Sequence, residues 1–202
     1  EGEITGARGV GGIAGNIALS SVSVSNCSNS GDITATAGHI GGIAGSTDGG
    51  IDNCTNSGNI TATGTNSGTG GICGNTSATT TIKKCTNTGD ITSTHPTNAV
   101  WVGGISGSFL NPAVDAMTEC RNEGNVHATT GHTLGGIVGL TRGYISKTVN
   151  NGLVSGPSGV GGIAGSNYGT ITECENLQAV SGAGDGPYDQ QMVGGIVGGN
   201  YG

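Results

Sequence analysis

Charge and bulk are what this chain lacks. Of its 202 residues, 9% are charged, 3% are aromatic and four are proline. So few large side chains would leave a conventional layered domain with a thin core, which argues against that architecture. Six Lys and Arg stand against 13 Asp and Glu, for a net charge of −7. A polyanion would be repelled by this chain, so nucleic acid is excluded as a partner. No apolar run approaches the roughly 18 residues of a transmembrane helix, so this segment is not expected to insert into a membrane. Neither a signal peptide nor a lipidation motif is visible. The chain has no strict Gly-x-y triplet, which excludes collagen.

What the chain has is glycine, 44 residues of it, placed with a period. Gly-Gly-Ile-x-Gly occurs seven times, starting at Gly11, Gly41, Gly70, Gly103, Gly135, Gly161 and Gly194, at intervals of 26 to 33 residues. Between the boxes runs a second motif, Cys-x-Asn-x-Gly-x-Ile, which decays towards the C-terminus. A disordered linker needs no such register, and self-similarity at this period marks one supersecondary unit stacked many times. Each unit holds three short apolar stretches rich in Gly and β-branched residues, too short for helices.

The second motif alternates as a strand with one buried face does. Cys54, Asn56, Gly58, Ile60 and Ala62 form one set; Thr55, Ser57, Asn59, Thr61 and Thr63 form the other. The same frame recurs at Cys27, Cys85 and Cys120. These features predict an all-β chain: a right-handed parallel β-helix, or β-solenoid, of six to seven coils of about 30 residues, with three short strands per coil. In such a stack Asn29, Asn56, Asn87, Asn122, Asn150 and Asn176 form an inward amide ladder at a corner. The following glycines, such as Gly58, supply a positive φ or clear space at the bend. Ile13 and its six equivalents form one interior column. Val24, Ile51, Ile82, Met117, Ile145 and Ile171 form another.

Five of the six cysteines occupy one repeat position: Cys27, Cys54, Cys85, Cys120 and Cys174. Cys73 stands inside a glycine box where other copies carry Ala, Ser or Val. Cysteine that exchanges with such residues behaves as a small buried side chain, so free thiols are expected in preference to disulfides. No Cys-x-x-Cys pair points to a metal. The chain opens and closes partway through a unit without a polar cap, so residues 1–202 are expected to be a single solenoid domain cut from a longer protein.

Gly12-Ile13-Ala14-Gly15 and its equivalents resemble the GLUG motif, whose pattern is Gly, Leu or Ile, a small apolar residue, and Gly. The resemblance covers nearly the whole chain. It implies a bacterial exported protein, extracellular or on the cell surface, of the adhesin-like kind. It brings no peptidase activity, because His-Glu-x-x-His is missing.

The residues themselves name no chemistry. Asp32 and Asp90 share a repeat slot with Asn59 and Asn125, so the slot tolerates loss of charge and reads as turn capping. Glu119, Glu123, Glu173 and Glu175 flank the cysteine strand as solvated groups. His39, His95, His127 and His132 show no ligand spacing. None of the glycine boxes continues into the Lys-Ser/Thr of a phosphate loop. No catalytic residue, cofactor or metal is therefore expected. The reading is a structural or adhesive scaffold, a stiff stalk whose partners are neighbouring domains of the same chain and a host or matrix protein or glycan. The alternative is a glycan-binding or polysaccharide-active β-helix, for which Trp101 and Phe109, beside the insertion at 94–99, are the candidate contact residues. A third reading, ice binding, rests on the Thr-x-Thr pairs at Thr34/Thr36, Thr61/Thr63 and Thr92/Thr94.

Overall fold

The computed structural model describes residues 2–94, 100–130, 133–182 and 192–201. Among these, the secondary structure is all strand and turn, in four parallel sheets of twelve, seven, six and six strands. One coil runs through Ala44–Thr47, Gly50–Asp52, Thr55–Asn56 and Ile60–Gly70, each strand in a different sheet. The next coil repeats them in register, pairing Ala44 with Cys73, Ile51 with Ile82, Asn56 with Asn87 and Ile60 with Ile91. The chain is a parallel β-solenoid.

The coil has four walls where three stretches were expected, because one repeat position adopts a left-handed backbone. The residue before each repeat-position cysteine, and before Thr148, is left-handed. Asn26, Asn53, Lys84, Glu119, Lys147 and Glu173 have φ between 50° and 56°. This turn splits the stretch from the Ile51 column to the Cys54 column into two strands in separate sheets. Asn adopts the conformation readily; Lys and Glu adopt it at a cost on the order of 1 kcal/mol.

Buried and exposed residues alternate from Cys54 to Thr63 as the pattern predicts. The interior falls into two apolar clusters. One gathers the Ile43, Ile51 and Cys54 columns, and the other the Ile33 and Ile40 columns of the long sheet. Between these strands the seven-stranded sheet lays its glycine side directly on backbone. A Cβ at Gly74 would stand 2.4 Å from the Ile40 nitrogen, and one at Gly139 2.4 Å from that of Val102.

The asparagine ladder forms. Each Nδ2 donates to Oδ1 of the next coil's Asn at 2.8–2.9 Å, from Asn29 through Asn56, Asn87, Asn122 and Asn150 to Asn176. The second N–H donates to the carbonyl two residues on, Gly58 for Asn56 and Gly89 for Asn87. The floor of the ladder is the second glycine of each box, since a Cβ at Gly71 would lie 2.3 Å from Asn87 Cγ. The glycines after the ladder clear space rather than supply a positive φ, as a Cβ at Gly89 would lie 2.1 Å from the Gly58 carbonyl.

Two buried hydroxyls interrupt the second cluster. Thr69 stands in register with Ile40 and Val102, and Ser93 with Ala62 and Ala128; neither hydroxyl has a hydrogen-bond partner. Thr69→Val should therefore stabilise the chain by about 1 kcal/mol, because it removes an unpaired polar group at nearly constant volume. A urea midpoint that falls on this substitution would contradict the placement. Lys147→Asn should also stabilise, by about 0.5–1 kcal/mol, because Asn tolerates the left-handed turn; urea denaturation checks this too.

Candidate functional site

On the outer surface of the solenoid, one column of side chains caps the backbone of the next coil. Asp32 Oδ1 accepts from the Asn59 N–H at 2.7 Å, Asn59 Oδ1 from Asp90, Asp90 Oδ1 from Asn125, and Asn125 Oδ1 from Leu153. Each side-chain oxygen caps a backbone donor of the following coil. Asp and Asn alternate in this slot because both present the oxygen that the cap requires. Asp32 and Asp90 therefore line up along the axis as capping groups.

The other acids are also dispersed. Glu119 and Glu173 occupy the left-handed corner, and the exposed Glu123 and Arg121 side chains pair at 2.6 Å. Among the described residues, no group of three or more His, Cys, Asp or Glu is placed to hold a metal ion. His127 Nδ1 lies 2.9 Å from Ser155 Oγ on the exposed face. Burial holds the His39 imidazole below its ordinary value. His95 and His132 lie outside the described residues, as do 95–99 of the insertion beside Trp101.

Trp101 and Phe109 do not form a common site. Phe109 is fully buried in the first apolar cluster and packs over Gly143, where a Cβ would come within 2.6 Å of its ring. A side chain with no exposed surface offers nothing to a ligand, and the long apolar ring is retained for packing. Trp101 is half-buried on the opposite side of its strand from Val102, in register with Gly68 and Thr133.

The exposed aromatic group lies elsewhere. Tyr168 and Tyr201 stack with ring centroids 4.7 Å apart and planes inclined by 13°, and the Arg142 guanidinium lies 5.7 Å from the Tyr168 centroid. The preceding residues, Thr141, Asn167 and Asn200, are paired in register, so the three side chains form one column at a corner. Tyr168 and Tyr201 are 46% and 52% exposed. Sequence reasoning missed the column because its members stand 26 and 33 residues apart. Counting from the glycine boxes, which puts all three at one repeat position, would have found it.

The threonines also stack. Thr5, Thr34, Thr61 and Thr92 are in register on the long sheet, and His127, Ser155 and Ser181 continue the row. Thr63 and Thr94 hydroxyls donate at 3.5 Å to carbonyls of the preceding coil. The regular array thus spans four coils and stops at His127.

The thiols are all free. Cys54, Cys85 and Cys120 are buried in one column, each donating to the carbonyl two residues earlier, at 3.3, 3.1 and 3.4 Å. Thr148 takes the next place in the column and donates to Cys174 Sγ at 3.2 Å. Burial pushes the Cys73 thiol up to about 12.

Comparison with protein-family models, curated proteins and solved structures finds no match.

Two outcomes follow from this geometry. Asp90→Asn should leave stability within about 0.5 kcal/mol of the parent while Asp90→Ala costs about 1 kcal/mol, since an oxygen and not a charge is required; equal losses in urea denaturation would show that charge matters. Because burial lowers the His39 value in the folded state, the unfolded chain binds more protons there as pH falls. Stability is complete above the unfolded value of 6.5 and declines as pH drops through and below it. His39→Gln should flatten that decline in melting temperatures measured between pH 7 and pH 5.

Proposed function

We propose that this chain is a structural repeat domain of a bacterial cell-surface or secreted protein, a stiff stalk that carries neighbouring domains or an adhesive surface. The observation that supports this best is the continuity of the side-chain ladders. The Asn column runs unbroken from Asn29 to Asn176, and the Asp32 column caps backbone donors as far as Leu153. Bonds that run along the axis at every coil make a rod that resists bending and that yields by losing whole coils. The resemblance of the glycine boxes to GLUG repeats supports export and a bacterial source. The capping engagement of Asp32 and Asp90 favours a scaffold over a polysaccharide-active enzyme, which requires carboxylates free to meet substrate.

Single-molecule extension of the chain between two reference domains tests the reading. A stalk holds its length at low force and then lengthens in steps of one or more coils. Smooth extension at low force, as for an unstructured linker, would contradict it.

A second reading, glycan binding, is favoured by the exposed Arg142–Tyr168–Tyr201 column. Stacked aromatic rings beside a guanidinium suit the apolar faces and hydroxyls of a sugar. If the column binds sugar, soluble oligosaccharides should perturb the Tyr168 and Tyr201 ring resonances, and Tyr168→Ala should abolish the effect without lowering the melting temperature. Unperturbed rings at millimolar sugar would remove this reading. The same purified chain, assayed for thermal hysteresis, tests the threonine array as an ice-binding face; no hysteresis at millimolar concentration removes it.

A further inference from the structure

One corner of the solenoid carries charge that the fold does not need. Asn26, Asn53, Lys84, Glu119, Lys147 and Glu173 occupy the left-handed corner on successive coils. The residues before them, Ser25, Asp52, Lys83, Thr118, Ser146 and Thr172, pair in register one after another. Asn26 and Asn53 show that the turn accepts asparagine, which adopts this backbone more readily than Lys or Glu does. They also tie coil to coil, since Asn53 Nδ2 donates to Asn26 Oδ1 at 2.7 Å. The four charged residues do neither. They hold the turn against their own preference, and among the described residues none of the four has an ion-pair partner. Lys84, Glu119 and Lys147 are exposed although their coils have neighbours on both sides, so the repeat position itself points to solvent.

The signs alternate along the axis: Lys84, Glu119, Lys147, Glu173, at the strand spacing of about 4.8 Å. Such a column fits an inverted copy of itself. With a twofold axis midway between the Glu119 and Lys147 coils, Lys84 faces Glu173 of the second copy and Glu119 faces Lys147 of the second copy. The symmetry repeats both pairs, so all four charges are matched and the contact closes. The flanking charges follow the same sense, with Lys83 beside Lys84 and Glu175 two residues beyond Glu173. Arg121 and Glu123 are already paired with each other. A parallel copy in register would instead set like charge on like. We propose that this corner is a contact between two copies of the chain, which lie antiparallel along the Lys84–Glu173 column. The contact goes beyond the stalk reading, since it joins two stalks side by side with opposite polarity. It is narrow and built from exposed ion pairs, so it is weak and sensitive to salt.

Sedimentation equilibrium of the chain at concentrations up to about 1 mM tests this. Two copies of net charge −7 repel at long range, but in about 0.1 M salt a Debye length of about 10 Å screens that repulsion and spares direct pairs. A dimer is expected there, and its dissociation constant should rise about tenfold or more in about 1 M salt. Lys147→Asn, expected above to stabilise the fold, should weaken the dimer. Lys84→Glu with Lys147→Glu makes the column wholly acidic, and Glu119→Lys with Glu173→Lys makes it wholly basic. Each double variant should be monomeric alone. Mixed, they should form a heterodimer in which a carbodiimide joins position 84 of one copy to position 173 of the other. The proposal is overturned by a parent chain that stays monomeric at about 1 mM, or by a dimer that either double variant retains. It is equally overturned if the two variants do not pair when mixed, or if the cross-links join position 84 to position 84.

Discussion

The structure depends on a stack of side-chain amides packed against glycine. An Asn side chain turned into a dry interior carries two donors and an acceptor that all require partners. Here each amide is satisfied by its own turn and by the amides above and below, so the cost of burial is met only when the coils stack in register. A slip of one residue would bring Thr86 or Thr88 opposite Asn56, and Arg121 or Glu123 opposite Asn87, and leave buried groups unpaired. The ladder therefore fixes register as well as stability, which aliphatic columns do poorly because one isoleucine packs on another with little directional preference.

This constraint accounts for much of the unusual composition. An inward amide needs room, and the second glycine of each box gives it, with a Cβ at Gly42, Gly71 or Gly104 falling 2.3 Å from the Asn Cγ. The last glycine of the box lets a whole sheet rest on neighbouring backbone, so walls that would otherwise be spaced by side chains touch directly. A chain with few large residues thereby closes its interior without a conventional core. The same economy shapes the exterior, where Asp32, Asn59, Asp90 and Asn125 each cap a backbone donor of the next coil. Among the described residues, surfaces not bound up in the stack include the Tyr168–Tyr201 corner and the threonine face.

The sequence was legible where one residue type had one job in every coil. The boxes gave the period, the alternation from Cys54 to Ala62 gave the buried face, and the recurrence of Asn gave the ladder. The Asp/Asn exchange disclosed the capping slot, because an oxygen acceptor is what the two residues share. Legibility failed where different residues do the same job. Asn26 and Asn53 hint at a left-handed turn, but Lys84, Glu119, Lys147 and Glu173 conceal it, so the fourth wall went unseen. It failed again where burial depends on neighbouring coils: Phe109 looks like an exposed aromatic beside an insertion, yet the absence of a side chain at Gly143 in the next coil makes room for it inside. The long-sheet column of Ile40, Thr69, Val102 and Leu134 was hidden for a related reason, since a two-residue inward segment is too short to show a period.

Hydrogen exchange of the ladder's own side-chain amides tests the central claim most directly. If the stack is continuous, the Nδ2 protons of Asn56, Asn87 and Asn122 should exchange on the timescale of the buried strand amides beside them, far more slowly than those of exposed Asn59 and Asn125. Side-chain exchange at Asn56, Asn87 and Asn122 as fast as at Asn59 would mean that the amides are not locked to one another, and the account of how this solenoid holds its register would be wrong.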